Sequence, residues 1–321
     1  MEFNLSTFPD GLFQYGGQPV GSFLWASPWS KVYFVDGYNG NDAFDGLKPT
    51  QAKATIAAAT ALAVTGDVIY IRPLDYSIGH GVERYSEDVS ITMTNTGFNH
   101  AGTTSYPLCQ PSNISIIGVA HKTNPQYAVR WKPATAVALT NTSPNLHVEN
   151  IGFFAEGLKA VSLLSNGVTD TQRGMDGTSF YNCEIRGGGL TAADGGTALT
   201  FDHCRFLPKY DGDPENGLTY TCSTNPGRQL TIRNCEFTDG NGTPCLDEWI
   251  TLVGTITEVI IRDCYFGQTP TNNALIVADN GVEGLIANCY FAVVDIGTTH
   301  IEQGGLLAAG LYDGQGIQSG L

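Results

Sequence analysis

The sequence predicts an all-β fold, a right-handed three-sheet parallel β-helix with a short N-terminal capping helix, and three observations predict it. First, a phrase of alternating apolar and polar residues, the pattern of a half-buried strand, recurs at 230–237, 259–266 and 284–291. Earlier copies lie at 178–185 and 199–206. The copy at 146–153 keeps Asn150 but carries Ile151 where the others carry Cys, and a degenerate first copy spans 114–119. Second, the alternation slips by one inside the phrase. Ile232 and Cys235 both have apolar inward character yet stand three apart, as do Ile261 and Cys264, Phe201 and Cys204, and Phe180 and Cys183. The chain must turn a corner between them. The residue before the second inward position is Gly118, Asn150, Asn182, His203, Asn234, Asp263 or Asn288, types that tolerate a left-handed backbone best. Third, these bends are separated by 32, 32, 21, 31, 29 and 25 residues, a period that points to a solenoid.

Taken in order, residues 1–30 form an aromatic arm: Phe3, Phe8, Phe13, Tyr15, Phe23, Trp25 and Trp29 stand among Gly, Pro and Ser with no period. Such a segment has little core of its own and reads as a docking arm or as a cap folded over the first coil. From residue 31 the pattern changes. Val32–Val35 reads as a strand, 36–45 as a Gly/Asn/Asp loop, 55–64 as a short Ala-rich helix and 68–71 as a second strand. A helix there would hide the unpaired edge of the solenoid's first coil. The solenoid is expected over 31–297, with third strands marked by Val137 and Leu139, Val161 and Leu163, Ile250 and Leu252, and Leu275 and Val277. The Gly-rich segment 298–321 is expected as a last imperfect coil or a docking tail.

Of eight cysteines, Cys183, Cys204, Cys235, Cys264 and Cys289 share one coil position. Coils stack about 4.8 Å apart, so these side chains should form an inward ladder of parallel Cα–Cβ vectors. That is poor disulfide geometry, and no CxxC pair suggests a thiolate metal site. The ladder reads as small buried apolar residues, suited to synthesis in a reducing compartment. Cys109, Cys222 and Cys245 fall outside it.

The net charge of −15, from 16 basic and 31 acidic residues, argues against a nucleic-acid surface or an anionic membrane. No run of ~18 apolar residues is present. The start, Met1-Glu2-Phe3-Asn4, lacks the basic-then-apolar order of a secretory signal.

The run Val35-Asp36, Gly40-Asn41-Asp42, Asp45-Gly46, Thr55-Ile56, Ala58 and 66–71 resembles the opening of right-handed parallel β-helix proteins of the pectin-lyase-like class. Pro73-Leu74-Asp75-Tyr76 departs from it, since that class often has Gly before Tyr. The resemblance implies the fold over about residues 31–300 and leaves function open, because the class holds polysaccharide lyases, glycosidases, phage tailspikes and non-catalytic virion proteins. Phe8-Pro9-Asp10-Gly11 with 16–20 is similar to leaders on phage-encoded structural proteins.

The search for chemistry yields weak candidates. Asp36, Asn39, Asn41, Asp42 and Asp45 are oxygen-rich, but the spacing is that of turns rather than of a cation loop. Asp211, Asp213 and Glu215 in one loop, with Asp247 and Glu248 a coil later, are the weak catalytic candidates for glycoside hydrolysis, which needs two carboxylates across a cleft. Tyr210, Tyr220 and Trp249 read as loop aromatics able to stack on sugars. His203, at a bend, reads as structural. No cofactor or metal is expected. The leading expectation is a phage virion protein, a capsid decoration or spike component assembled in the host cytoplasm. It would be a homotrimer by analogy with viral β-helices and would contact other virion proteins such as a capsid protein. The alternatives are a tailspike-like polysaccharide depolymerase and a glycan-binding module.

Overall fold

The structure, a computed structural model, describes residues 30–74, 84–92, 113–119, 129–155, 158–164, 175–207, 217–238, 248–267, 275–292, 301–302 and 305–312. It also gives the backbone of short strands at 6–7, 13–15, 18–20, 94–96, 108–110 and 318–319. The fold is a parallel β-helix. Its strands pair in three ladders. The first runs through Val32–Val35, Val68–Ile71, Ser115–Gly118, His147–Glu149, Ser179–Tyr181, Thr200–Asp202 and Thr231–Arg233, then through the end of Ile250–Arg262, Val282–Ala287 and Gly305–Ala309. The second stacks Val129–Lys132, Ile151–Ala155, Glu184–Gly187, Arg205–Leu207, Glu236–Phe237, Tyr265–Phe266, Tyr290–Phe291 and Leu311–Tyr312. The third joins Val89–Ile91, Val137–Asn141, Lys159–Leu164, Leu190–Ala193 and the starts of Leu218–Arg228 and Ile250–Arg262 to Ile276–Ala278 and Ile301–Glu302.

Two of these ladders are one continuous sheet. The 13-residue strand Ile250–Arg262 pairs in the third ladder at its start and in the first at its end, so the first and third merge into 17 strands beside a separate sheet of 10. The corner between the first and second ladders is the sharp one. Asn150, Asn182, His203, Asn234, Asp263 and Asn288 sit there with φ between 51° and 57°. Gly118 corrects the expectation. Its φ is not in the left-handed region, and glycine is needed for a different reason: a Cβ there would stand 2.3 Å from the Asn150 carbonyl oxygen of the next coil.

A second left-handed column was not foreseen. Asn113, Asn145, Gly177, Ala198, Gln229 and Glu258 each lie five residues before one of the seven bend positions, with φ from 55° to 66°. The two columns bracket the first ladder, so each coil offers that face a segment of only three or four residues.

The core is a set of stacks. Phe206, Phe237, Phe266 and Phe291 lie ring over ring at 4.6, 4.8 and 4.8 Å. The five cysteines form a neighbouring column, buried and free, each Sγ lying 3.4–3.8 Å from a carbonyl of the preceding coil. Burial pushes the Cys204 and Cys235 thiols far above the usual range. Leu275 is buried together with Ile276 and Ala278, while Val277 turns partly outward, a one-residue slip from the expected Leu275 and Val277 pair.

At the N-terminal end a short helix, Ile56–Thr60, lies against Val32–Val35, Val68–Ile71 and Val89–Ile91. Thr55 Oγ1 accepts from Ala58 N–H, and the Glu87 carboxylate accepts from the Ile56 and Ala57 N–H groups at 3.0 and 2.8 Å. The helix ends well before residue 64, since 61–62 already form a turn. Of residues 1–29 the structure describes only backbone: Ser6–Thr7, Phe13–Tyr15 and Gln18–Val20 make an antiparallel three-stranded sheet. The side chains of Phe3, Phe8, Phe13, Tyr15, Phe23, Trp25 and Trp29 lie outside the described residues. Among the described residues, no helix is long and apolar enough to cross a membrane.

Candidate functional site

The outer face of the first ladder carries a groove, and the two left-handed columns explain its shape. Between them each coil turns two side chains outward, which builds two rows in parallel register. One row reads Ser115, His147, Ser179, Thr200 and the other Glu149, Tyr181, Asp202, Arg233. Asn113, Asn145 and Gly177 of the second column form a rim. The enclosed volume is about 550 Å³, lined by Ser115, His147, Ser179, Tyr181, Thr200, Asp202 and Arg233. Glycine suits the rim at 177: its φ is 66°, and a Cβ would stand 2.1 Å from Asn145 Oδ1 unless that side chain moved.

Stacking in register turns the rows into hydrogen-bonded chains. His147 Nδ1 meets Ser179 Oγ at 2.9 Å, and its Nε2 meets Glu149 Oε2 at 3.4 Å. Asp202 is the hub of the next coils. It pairs with Arg233 Nη2 at 2.8 Å and His203 Nδ1 at 2.7 Å, and it accepts from Asn234 Nδ2 at 3.0 Å. Partial burial pushes the Asp202 carboxyl up, but the hydrogen bonds from Asn234, Arg233 and His203 outweigh burial and hold it below the usual carboxylate range. Asp202 is therefore an anion at neutral pH and a poor proton donor. Arg233 Nε is buried without a hydrogen-bond acceptor, a donor that a ligand or water would complete.

Of the sequence-derived catalytic candidates, the structure describes Glu248 alone. Asp211, Asp213, Glu215 and Asp247 lie outside the described residues, as does Tyr210. Glu248 accepts from Thr251 Oγ1 at 3.0 Å, and its carbonyl accepts from Gly217 N–H. Tyr220 and Trp249 are fully buried rather than open to a sugar. Tyr220 O–H donates to the Gly196 carbonyl and Trp249 Nε1–H to the Gly267 carbonyl. Tyr220 is in phase with the inward Leu218 and Cys222, a signal that the loop reading overlooked, whereas Trp249 precedes Ile250 out of that alternation.

The oxygen-rich opening segment makes turns. Asp36 Oδ1 accepts from Tyr38 and Asn39 N–H, Asn41 Oδ1 from Ala43 N–H and Asp45 Oδ1 from Leu47 N–H, while Asp42 ties down Ala54 and Thr55. Arg72 pairs with Asp36 at 2.6 Å. Among the described residues no group of three or more His, Cys, Asp or Glu side chains is placed to hold a metal ion. The groove was missed because its residues come from five separate coils and share no motif.

No protein-family model matches the chain. No curated protein matches it either. Among solved structures the chain is similar to the pectate lyase Pel9A, with 15% identity and a TM-score of 0.50 over 87% of this chain and 68% of the lyase. It is also similar to a rhamnogalacturonan lyase, with 12% identity and a TM-score of 0.45 over 91% of this chain and 89% of the other. A third likeness is to ORF18 of Geobacillus virus E2, with 13% identity and a TM-score of 0.36 over 77% and 53% of the two chains. The likeness to the pectate lyase shows the fold, a parallel β-helix, and the fold alone.

Proposed function

We propose that the chain is a non-catalytic structural protein of a phage virion, a capsid decoration or spike component, with the β-helix as its shaft. One observation carries this reading: four outer-face carboxylates are tied to arginines of the same chain. Asp202 pairs with Arg233, Glu236 with Arg205, Glu184 with Arg186 and Glu258 with Arg228, at 2.8 to 3.1 Å. Glycoside cleavage needs one carboxyl kept protonated opposite a second, whereas hydrogen bonds from Asn234, Arg233 and His203 hold Asp202, and those from Arg228 and Gln229 hold Glu258, below the usual carboxylate range. The leader-like segment at 8–20 and the aromatic arm support assembly with other virion proteins, a capsid protein among them, in the host cytoplasm. A homotrimer belongs to the same reading. The charge of −15 weighs against nucleic-acid and membrane partners.

The test is fractionation of a phage lysate on a density gradient with the chain followed by antibody. The chain is expected to sediment with particles. Finding it only in the soluble fraction overturns the virion reading.

A second reading, glycan binding or cleavage, has its own support in the polar groove with the orphaned Arg233 Nε. Incubation with bacterial surface polysaccharide separates the two. Products that appear with the native chain and vanish with Asp213→Asn combined with Glu248→Gln, or with Asp202→Asn, would replace the structural reading by an enzymatic one.

A further inference from the structure

The two outward rows of the first ladder change character along the axis. After Thr231 the first row continues as Ile260, Leu285 and Leu307, in parallel register. These side chains are 39%, 38% and 72% exposed. The second row continues past Arg262 as Ala287 and Ala309. Around the sharp corner, the same three coils carry Tyr265, Tyr290 and Tyr312 on the outer face of the second ladder. Tyr265 and Tyr312 are each 39% exposed, and the Tyr265 and Tyr290 rings stack at 5.5 Å. An aliphatic ladder and an aromatic ladder thus flank one edge of the solenoid at equal heights.

We infer that this edge is where a second copy of the chain docks, the tyrosine ladder of one copy lying against the aliphatic ladder of the next. Three arguments select that occupant. The small side chains of Ala287 and Ala309 stand between the corner and the leucines, which leaves room for the rings of a neighbour. Charge is complementary one coil further on: Arg233 lies on the first ladder's face, and Glu236 follows it around the same corner on the second ladder's face. Each is already paired on its own face, Arg233 with Asp202 and Glu236 with Arg205, so side-by-side copies at equal height bring the Glu236 of one beside the Arg233 of the other and join two ion pairs into one network. Finally, a contact of like ladders would cover one ladder twice and leave the other in water, whereas a contact of unlike ladders, in a closed ring or in a two-fold pair about the edge, covers both in every copy. The ladders then form the apolar core of the contact and the charged coil its rim. The inference deepens the oligomer named above, but it is read on the isolated chain, so its failure leaves the particle assay untouched.

Sedimentation velocity of the full chain at micromolar concentration is the first test. The native chain is expected as a single oligomer, and Leu285→Glu with Leu307→Glu as a monomer with unchanged circular dichroism, an affinity loss of about tenfold or more. A monomeric native chain overturns the proposal. If that monomer's tyrosine fluorescence responds to bacterial surface polysaccharide, the edge is a glycan site instead. The second test uses chains with Cys109→Ser and Cys245→Ser and a short bismaleimide. A mixture of Leu307→Cys chains with Tyr312→Cys chains should cross-link, and neither should do so alone. Cross-linking of Leu307→Cys chains by themselves means a contact of like ladders and overturns the proposal.

Discussion

Asn234 shows what one side chain does in this fold. Its φ of 53° carries the chain from the first ladder to the second, and its Nδ2 donates to Asp202 at 3.0 Å. A left-handed backbone costs an ordinary L-residue about 1–2 kcal/mol, more for a β-branched one, and the lost hydrogen bond adds about 1 kcal/mol. Asn234→Val should therefore lower the urea midpoint clearly, while Asn234→Gly should lose little beyond the hydrogen bond. Asp202 adds a pH dependence. Its folded-state pKa lies below the unfolded value, so its contribution is fully present above the unfolded pKa of about 3.9 and is lost as pH falls through the folded value. Asp202→Asn should flatten the acid limb of stability below about pH 4, measured as melting temperature against pH. Buried thiols make a third case. With Cys109→Ser and Cys245→Ser, a thiol reagent at pH 8 should find no reactive group until denaturant is added, then the six described cysteines.

A coil is stabilised by what stacks above and below it. Phe237 lies between Phe206 and Phe266 and meets Trp249 edge-on at 6.1 Å. Phe237→Ala should cost about 3–5 kcal/mol. Because each coil touches only its neighbours, the loss should stay local. Hydrogen exchange is the measurement: faster exchange is expected at 204–207, 235–238 and 264–267, with little change near the capping helix. Uniform acceleration along the shaft would instead mean that the solenoid unfolds as one unit.

For the whole molecule, the arm and the shaft are separable questions. Deleting residues 1–30 removes a segment whose described strands pair only with one another. The truncated chain should keep its circular dichroism and lose its place on particles. Normal incorporation into particles would remove the arm from the docking proposal. The shaft itself divides along its axis, with a polar groove over the coils from Ser115 to Arg233 and an apolar edge over the last three. One face thus presents two chemistries, because its outward rows run through every coil.

The sequence by itself determined the coil. Asn, Asp and His recur at the bend because few residues accept that backbone, and Cys or Phe recur inward because identical neighbours stack well. Both constraints act on residue type, so both leave a visible repeat. Only the tertiary structure decided the later half of the second left-handed column, where Ala198, Gln229 and Glu258 adopt a backbone they do not favour. Their conformation is imposed by register with the coils on either side, and residue type records nothing of it. The groove and the ladders were hidden for the same reason: their members stand about a coil apart in the chain and meet only when the coils are stacked.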